Sequence, residues 1–318
     1  VGRRPTTKPQ KNAAQAVDRK KDVMRSELVE STKKPKLISQ QFPDMDKNQY
    51  AQWTALLEQR TGMRLPEKRR SFLVTNVSMR MREKGFTDYQ DYFDHINTGN
   101  DGKVEWDQLV HHLTVHETRF MRHEATQELI CQKLLPQSVQ ECKKSPHTFN
   151  VWSVGCATGE EPYSIAMAID DHMSALGCDY YLGVMASDIS RSALAVGRAG
   201  IYSAQKVKTV SPQWMQKYFT ATKGDKYQIS TELRQRVCFN QANVLDLGKL
   251  PIGFMDVIVC QNLLIYYDQP QRLKIVNTLV DYLAPKGVLI LAVGELINWS
   301  HPDMERFPFA NTLAYRRK

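Results

Sequence analysis

The sequence predicts an α/β protein in which a doubly wound, mostly parallel sheet follows a small all-α domain and carries a small antiparallel β insertion. Three observations predict it. Residues 46–116 show helical periodicity without strand signals. Residues 151–164, Val151-Trp152-Ser153-Val154-Gly155-Cys156-Ala157-Thr158-Gly159-Glu160-Glu161-Pro162-Tyr163-Ser164, join a buried strand, a glycine-punctuated turn and a helix start in one piece. From there to the end, strand and helix signals alternate.

Length and composition bound the class. The chain has 318 residues, 42% of them hydrophobic, which leaves room for two domains and a real core. No run approaches the ~20 consecutive apolar residues of a membrane span. The basic, polar start lacks the apolar segment of a secretion signal, so a cytoplasmic protein not inserted in a membrane is expected. The six cysteines, Cys131, Cys142, Cys156, Cys178, Cys238 and Cys260, form no C-x-x-C pair, and reduced thiols are expected. A net charge of +9 invites a nucleic-acid reading. Residues 1–36, however, hold 11 Lys or Arg against 4 Asp or Glu, so the rest of the chain is close to neutral.

Residues 1–40 are rich in Lys, Arg, Gln, Ser and Thr with few large apolar groups, which predicts a flexible basic arm; residues 13–30 have the makings of a short helix on a partner. The first folded helix begins near Asn48, with Trp53, Leu56 and Leu57 on one face, and ends at Thr61-Gly62. A second follows Pro66, ends near Gly85 and is basic, with Arg69, Arg80 and Arg82 among its cations; Arg69 and Arg80 are about three turns apart on one side. Asn97-Thr98-Gly99-Asn100-Asp101-Gly102 resembles the start of a calcium loop, but Gly99 and Gln108 fall where ligands are needed, so a turn is expected. His112 and His116 are four apart with no third ligand at a recognisable spacing, which makes them structural and leaves no metal site.

In residues 151–164 the apolar run suits a central parallel strand, Gly155 and Gly159 suit a sharp turn close to a ligand, and Pro162 suits a first helical turn. The spacing is G-x-x-x-G rather than G-x-G-x-x-G, and Glu160 and Glu161 would repel a pyrophosphate. They suit a cationic, hydroxyl-rich ligand such as S-adenosylmethionine; the plain alternative is an ordinary strand-turn-helix connection with acidic cap residues. A helix through Ile165, Ala168, Ile169 and Met173 leads to a strand over residues 181–187 that delivers Asp188 to its carboxyl end, where such folds hold ribose hydroxyls. Residues 200–236 break the rhythm and predict the inserted hairpin. Val237-Cys238-Phe239 leads to Asn243, and residues 254–260 form a strand ending at Gln261-Asn262. Residues 272–283 are amphipathic, Ala284-Pro285-Lys286-Gly287 turns, residues 288–293 form a strand followed by Glu295, and residues 312–315 read as an edge strand.

Several separated motifs stand in an order that resembles the CheR-type chemoreceptor methyltransferases. They are residues 69–85, Glu117-Thr118-Arg119-Phe120-Met121-Arg122, residues 152–164, Ala186-Ser187-Asp188-Ile189, Gly200-Ile201-Tyr202, and Cys260-Gln261-Asn262-Leu263-Leu264-Ile265-Tyr266-Tyr267. The resemblance covers roughly residues 46–316. It implies a helical domain over residues 41–116 and a Rossmann-like S-adenosylmethionine-dependent catalytic domain over residues 117–318, with its β subdomain at residues 200–236. It implies methyl transfer to glutamate carboxylates of a methyl-accepting chemoreceptor, by a monomer, in flagellar or surface-pilus systems.

By the same resemblance, cofactor contacts fall on His116, Thr118, Arg122, Glu161, Asp188, Asn243, Val244, Gln261 and Asn262, and receptor contacts on Arg69, Arg80 and Arg82. His116 stands where the family often has Asn, Gln261 where it has Arg, Met121 where Phe is common, and Asn76 and Met79 where Arg is frequent. Within this reading Arg122 and Tyr266 are the catalytic candidates, because a guanidinium fork matches a carboxylate without taking its proton, and Tyr266 is placed to line the methyl path. Two rival readings remain at this level. One is a cofactor-binding interaction module with little turnover, motivated by His116 and Gln261. The other is a nucleic-acid methyltransferase, disfavoured because Asn262-Leu263-Leu264-Ile265 is not an Asn-Pro-Pro-aromatic segment.

Overall fold

The computed structural model describes residues 1–2, 44–114, 117–141, 147–177 and 180–318. The expected basic arm, its short helix, His116, Cys142 and Cys178 lie outside them, apart from the first two residues.

The helical domain opens with α1, Lys47–Thr61, where Asp46 and Gln49 form a capping box and Trp53, Leu56 and Leu57 face inward. Gly62, at φ +73°, closes the helix by returning its N–H to Glu58. A 3₁₀ turn, Glu67–Arg69, leads to α2, Arg70–Lys84, which ends at the left-handed Gly85. Then come α3, Tyr89–Asn97, capped by Asp88, and α4, Gly99–Leu113. Trp53 stacks on Tyr92 at 5.6 Å between ring centres and meets the edge of Phe93 at 5.2 Å. The turn expected over residues 97–102 is confined to Thr98, because Gly99 to Gly102 already belong to α4. A side chain at Gly102 would lie 2.2 Å from the His95 carbonyl, so this glycine lets α4 pass close to α3.

Arg80 does not stand on an exposed basic face. It is 8% exposed and pairs with Glu105 of α4, which is 1% exposed. Its Nε and Nη2 donate to the two carboxylate oxygens at 2.9 and 2.7 Å, and its Nη1 meets Glu83. Arg69 lies in the 3₁₀ turn before α2, so it does not share a face with Arg80 as expected; Arg80 faces α4 and its charge is consumed inside the domain. Lys68, Arg69, Arg82 and Lys84 remain exposed on that segment.

The second domain begins with a continuous helical rod made of α5, Glu124–Leu129, a π turn at Ile130–Leu134 and α6, Leu135–Glu141. Its sheet follows: β1, His147–Val154; α7, Glu160–Leu176; β2, Tyr180–Asp188; α8, Arg191–Ala199. The insertion contains β3, Ile201–Ser203; the short helices α9, Ala204–Val207, and α10, Pro212–Tyr218; β4, Phe219–Thr222; and β5, Lys226–Ile229. After α11, Thr231–Gln235, the chain returns to the main sheet with β6, Val237–Gln241. A 3₁₀ turn, Val244–Lys249, precedes β7, Met255–Cys260, and another, Leu264–Tyr266, precedes α12, Gln269–Asp281. The chain ends with β8, Leu283–Leu291, β9, Met304–Phe307, and β10, Leu313–Arg317.

The main sheet has the order β6-β2-β1-β7-β8-β10-β9, and β3, β5 and β4 make a separate antiparallel sheet in that order. Strands β6, β2, β1, β7 and β8 run parallel, whereas β10 runs antiparallel to both neighbours. The parallel strands are near-continuous apolar runs because helices cover both faces; Val151, Trp152, Val257, Ile258, Val259, Leu289 and Ile290 are all fully buried. Order reverses between β1 and β7, which opens a crevice at their carboxyl ends.

Two strand expectations are corrected. The last strand, β10, lies between β8 and β9, and the edge is β9, whose central Glu305-Arg306 hides its alternation and blunts the edge against pairing. Ala284-Pro285-Lys286-Gly287 does not precede β8 but bulges within it: pairing with β7 steps from Met255↔Leu283 to Val257↔Val288, with Lys286 at φ +65°.

Candidate active site

Two adjoining cavities occupy the crevice, and Gly155, Ala157, Asn262 and Tyr266 form the wall they share. The segment after β1 makes the floor. Gly155 and Cys156 donate their N–H groups to the Ser187 carbonyl at 2.8 and 3.0 Å, which folds the turn back onto β2. Gly155 is at φ +77°, and a side chain there would strike Leu263 at 3.1 Å. Gly159, at φ +96°, serves packing instead: it lines neither cavity, and a Cβ would come within 3.0 Å of Phe239 and of the Tyr202 hydroxyl.

The insertion locks this turn from outside. Tyr202 donates to the Thr158 carbonyl at 2.8 Å, and Lys206 donates to the Thr118 carbonyl at 3.1 Å and to Glu160 at 2.8 Å. Glu160, expected to face the ligand, is fully buried in that ion pair. Two successive helical residues diverge by about 100°, so only Glu161 turns into the crevice.

The first cavity is lined by Thr118, Arg119, Arg122, His123, Glu161 and Gln261, among others. Glu161 accepts from Ser153 at 2.7 Å. Burial pushes its carboxyl up to about 7, against the Ser153 hydrogen bond and the Arg122 charge, which pull it down; Glu295 pushes the same way as burial. Arg122 donates to the Glu117 carbonyl at 2.6 Å, which curls the 117–122 segment around the cavity mouth. Gln261 is buried; its carbonyl accepts from Thr126 at 3.2 Å and its amide reaches the Leu291 carbonyl at 3.5 Å. Asn262, at φ +60°, shares a 2.7 Å hydrogen bond with His123. Burial holds the His123 ring below its ordinary range, with Arg122 and Arg119 acting in the same direction, so the neutral tautomer with Nε2–H donating to Asn262 Oδ1 is the consistent assignment.

The second cavity holds Asp188 at the end of β2, Val244, and Tyr266 on the shared wall. Asp188 accepts from the Ala157 N–H and the Ser190 N–H, each at 2.9 Å and on separate oxygens. A carboxylate has about four lone-pair sites, so this arrangement still suits it to hydroxyls. The helical domain closes this cavity with Met63, Arg64, Leu65, Arg69, Leu113 and Thr114. The contact is tight, since a Cβ on Gly62 would lie 2.1 Å from Leu245 Cδ1. Asn243 belongs to this contact rather than to the cavity lining: it donates to the Arg60 carbonyl at 3.0 Å and caps the following 3₁₀ turn through Leu245 N–H at 3.1 Å. Burial raises the Tyr266 hydroxyl, while the Arg69 and Arg122 charges lower it.

The crevice therefore brings together Thr118, Arg122, Glu161, Asp188, Val244, Gln261, Asn262 and Tyr266, and it adds Arg69 at the wall next to the helical domain. Arg82 lies elsewhere on the surface and Arg80 in the helical core. His123, Arg119 and the wall formed by residues 63–65 and 113–114 escaped sequence reasoning. The first two sit one step inside the quoted Glu117-to-Arg122 motif or beside it, whereas nothing local marks the helical wall.

Residues 48–114 match the family described as CheR methyltransferase, all-alpha domain, and residues 116–313 match CheR methyltransferase, SAM binding domain. The chain belongs to the CheR methyltransferase family. Among similar proteins, the chemotaxis protein methyltransferase of Escherichia coli is 31% identical over 263 residues, 82% of this chain and 87% of that protein. Chemotaxis protein methyltransferase 2 of Vibrio cholerae is 32% identical over 238 residues, 74% and 81% of the two chains. The chemotaxis protein methyltransferase of Borreliella burgdorferi is 28% identical over 238 residues, 74% and 83% of the two chains.

The chain takes S-adenosylmethionine as its cofactor, and the crevice has the donor set for it. One cavity presents the Glu161 carboxylate, suited to an ammonium or sulfonium, and the adjoining one presents Asp188, suited to hydroxyls. At the wall between them Gly155 has no side chain in the way. Among the described residues no cluster of metal-ligating side chains occurs, and no helix is long and apolar enough to cross a membrane.

Proposed function

We propose that this chain transfers methyl groups to glutamate side chains of a chemoreceptor, producing glutamate methyl esters and S-adenosylhomocysteine, and that it does so as a cytoplasmic monomer. The observation that carries the proposal is that one cavity is lined both by an anion for the donor, Glu161, and by cations for the acceptor, Arg119 and Arg122. The names of the Escherichia coli and Vibrio cholerae relatives support a partner from chemotaxis. When bound, S-adenosylmethionine supplies an electrophilic methyl on a sulfonium.

The chain's own residues then hold and orient. Glu161, Asp188, Thr118, Val244, Gln261 and Asn262 hold the donor. An acceptor glutamate, which ordinarily titrates at about 4.3, arrives ionised at neutral pH, so no general base is required. Arg122 orients that carboxylate without exchanging a proton with it, and Tyr266, on the wall between the cavities, keeps water from the path. Placement of this kind is worth about 7–11 kcal/mol of barrier when two reactants are held in line.

Arg69 and Arg82 are both exposed on the basic segment that would meet an acidic receptor segment, and Arg69 reaches the cleft itself. Gln261 in place of arginine leaves a paired neutral amide rather than a gap, which removes one of the two motives for a module without turnover; the other, His116, lies outside the described residues. The test is Arg122→Ala with labelled donor at saturating concentration and receptor fragments: methyl transfer is reduced at least a hundredfold, about 2.7 kcal/mol. Near-normal turnover would remove Arg122 from its role.

A further inference from the structure

Glu295 lines neither cavity, yet it is the least satisfied charged side chain near them. It follows β8 at the carboxyl end of the sheet and is 3% exposed, and neither carboxylate oxygen has a hydrogen-bond partner. The carboxylate faces the N–H groups of Asn262, Ala292 and Ile265 without completing a bond to any of them. Titratable and charged groups face it from every packed element: Glu161 from α7, Cys260 from β7, Tyr266 from the following 3₁₀ turn, and Arg272 from α12. Arg272 does not neutralise it by direct pairing. Its guanidinium donates at 2.8 Å to the Glu295 main-chain carbonyl and at 2.8 Å to the Tyr267 carbonyl.

Leaving a carboxylate buried and unbonded is costly, and apolar residues would fill the space more stably. What lies directly over it is the 262–266 turn, whose Asn262 and Tyr266 belong to the wall shared by the two cavities. Asn262 is in the left-handed region, a conformation that persists in a non-glycine residue when its surroundings hold it. Its side chain is held by His123 at 2.7 Å. Its main-chain N–H points at Glu295.

We propose that Glu295 is a positioning residue for methyl transfer: by accepting the N–H groups of Asn262 and Ile265 when the crevice is filled, it draws the 262–266 turn into the geometry that sets Asn262 and Tyr266 against the reacting groups. The proposal rests on the reading that the crevice holds the donor and an acceptor glutamate. It adds a device that can be examined apart from turnover. Burial raises the Glu295 carboxyl to about 7, so a proton on it competes with those backbone donors at mildly acidic pH.

The test uses the full chain, Glu295→Ala and Glu295→Gln, with two readouts. In hydrogen exchange, S-adenosylhomocysteine slows the amides of residues 261–267 in wild type. The slowing is abolished in the Ala variant and partly kept by Gln, whose amide oxygen still accepts. In turnover at saturating cofactor, kcat falls about tenfold or more for Ala with cofactor KM within about threefold, and the wild-type rise in kcat between pH 6 and 8 flattens in Gln. Saturating cofactor removes Glu161 from that profile. Wild-type exchange in the Ala variant, or a wild-type kcat profile in both variants, overturns the proposal. If wild type itself methylates no receptor fragment, the functional reading fails, and the exchange measurement still decides whether Glu295 holds the turn.

Discussion

Replacing Arg80 with alanine separates two roles for one residue. Glu105 is 1% exposed and receives Arg80 at 2.9 and 2.7 Å, the Tyr92 hydroxyl at 2.8 Å, and Lys84 at 3.3 Å. Burial pushes the Glu105 carboxyl up, but the hydrogen bonds from Arg80 and Tyr92 and the Arg80 charge outweigh it and hold the group below its ordinary value. Without Arg80 the carboxylate keeps one neutral hydroxyl and a lysine that is 44% exposed. Breaking a buried pair from one side costs about 3–5 kcal/mol. At roughly 2–4 °C per kcal/mol for a unit of this size, Tm falls by about 10 °C. Scanning calorimetry measures it, and because the pair is buried the loss should persist in about 0.5 M salt, where exposed pairs are screened. The double variant Arg80→Met with Glu105→Leu should recover most of the loss, since replacing both partners with apolar groups is often neutral. An Arg80→Ala protein that melts within about 1 °C of wild type while failing to methylate receptor would refute the structural role and restore Arg80 to the docking face.

Three other outcomes are expected. Glu161 and Glu295 both sit raised to about 7 in the free protein, so each contributes stability that is complete below about pH 4.5 and is lost as pH climbs through 7, at most about 3 kcal/mol apiece. Melting temperature should therefore fall between pH 5.5 and 8, and a flat profile would contradict both assignments. A cationic donor suits ionised Glu161, so its affinity should rise over the same interval; titration in buffers of different ionisation enthalpy should show proton release below pH 7 and almost none at pH 8.5. Gly159→Ala puts a side chain at φ +96° within 3.0 Å of Phe239 and Tyr202, at a cost of about 1–3 kcal/mol plus weakened cofactor binding, read by urea unfolding and calorimetry.

Much of this fold was legible because its signals are local. The strand-turn-helix over residues 151–164 declares itself through apolar continuity, Gly155 and Pro162, and Asp188 falls at the end of β2 where the sheet pattern expects it. What was hidden depends on distant partners. Arg80 and Glu105 are 25 residues apart, and nothing near either says that one neutralises the other. The edge strand β9 is four residues long with two charges at its centre, too short to show alternation. Glu160 and Glu161 look equivalent in sequence, and the partner that takes up Glu160, Lys206, lies 46 residues away in the insertion. The resemblance pairs Asn243 with Val244; Val244 lines the cavity, whereas the Asn243 side chain ties the helical domain to the 3₁₀ turn.

The most direct measurement is the fate of a radiolabelled methyl group after incubation of the full chain with S-adenosylmethionine and a chemoreceptor cytoplasmic fragment. The account predicts label on the fragment that mild base releases as methanol, and that disappears when the acceptor glutamates are changed to alanine. Donor bound in the crevice with no base-releasable label on any receptor fragment, or label on lysine or nucleic acid instead, would contradict it.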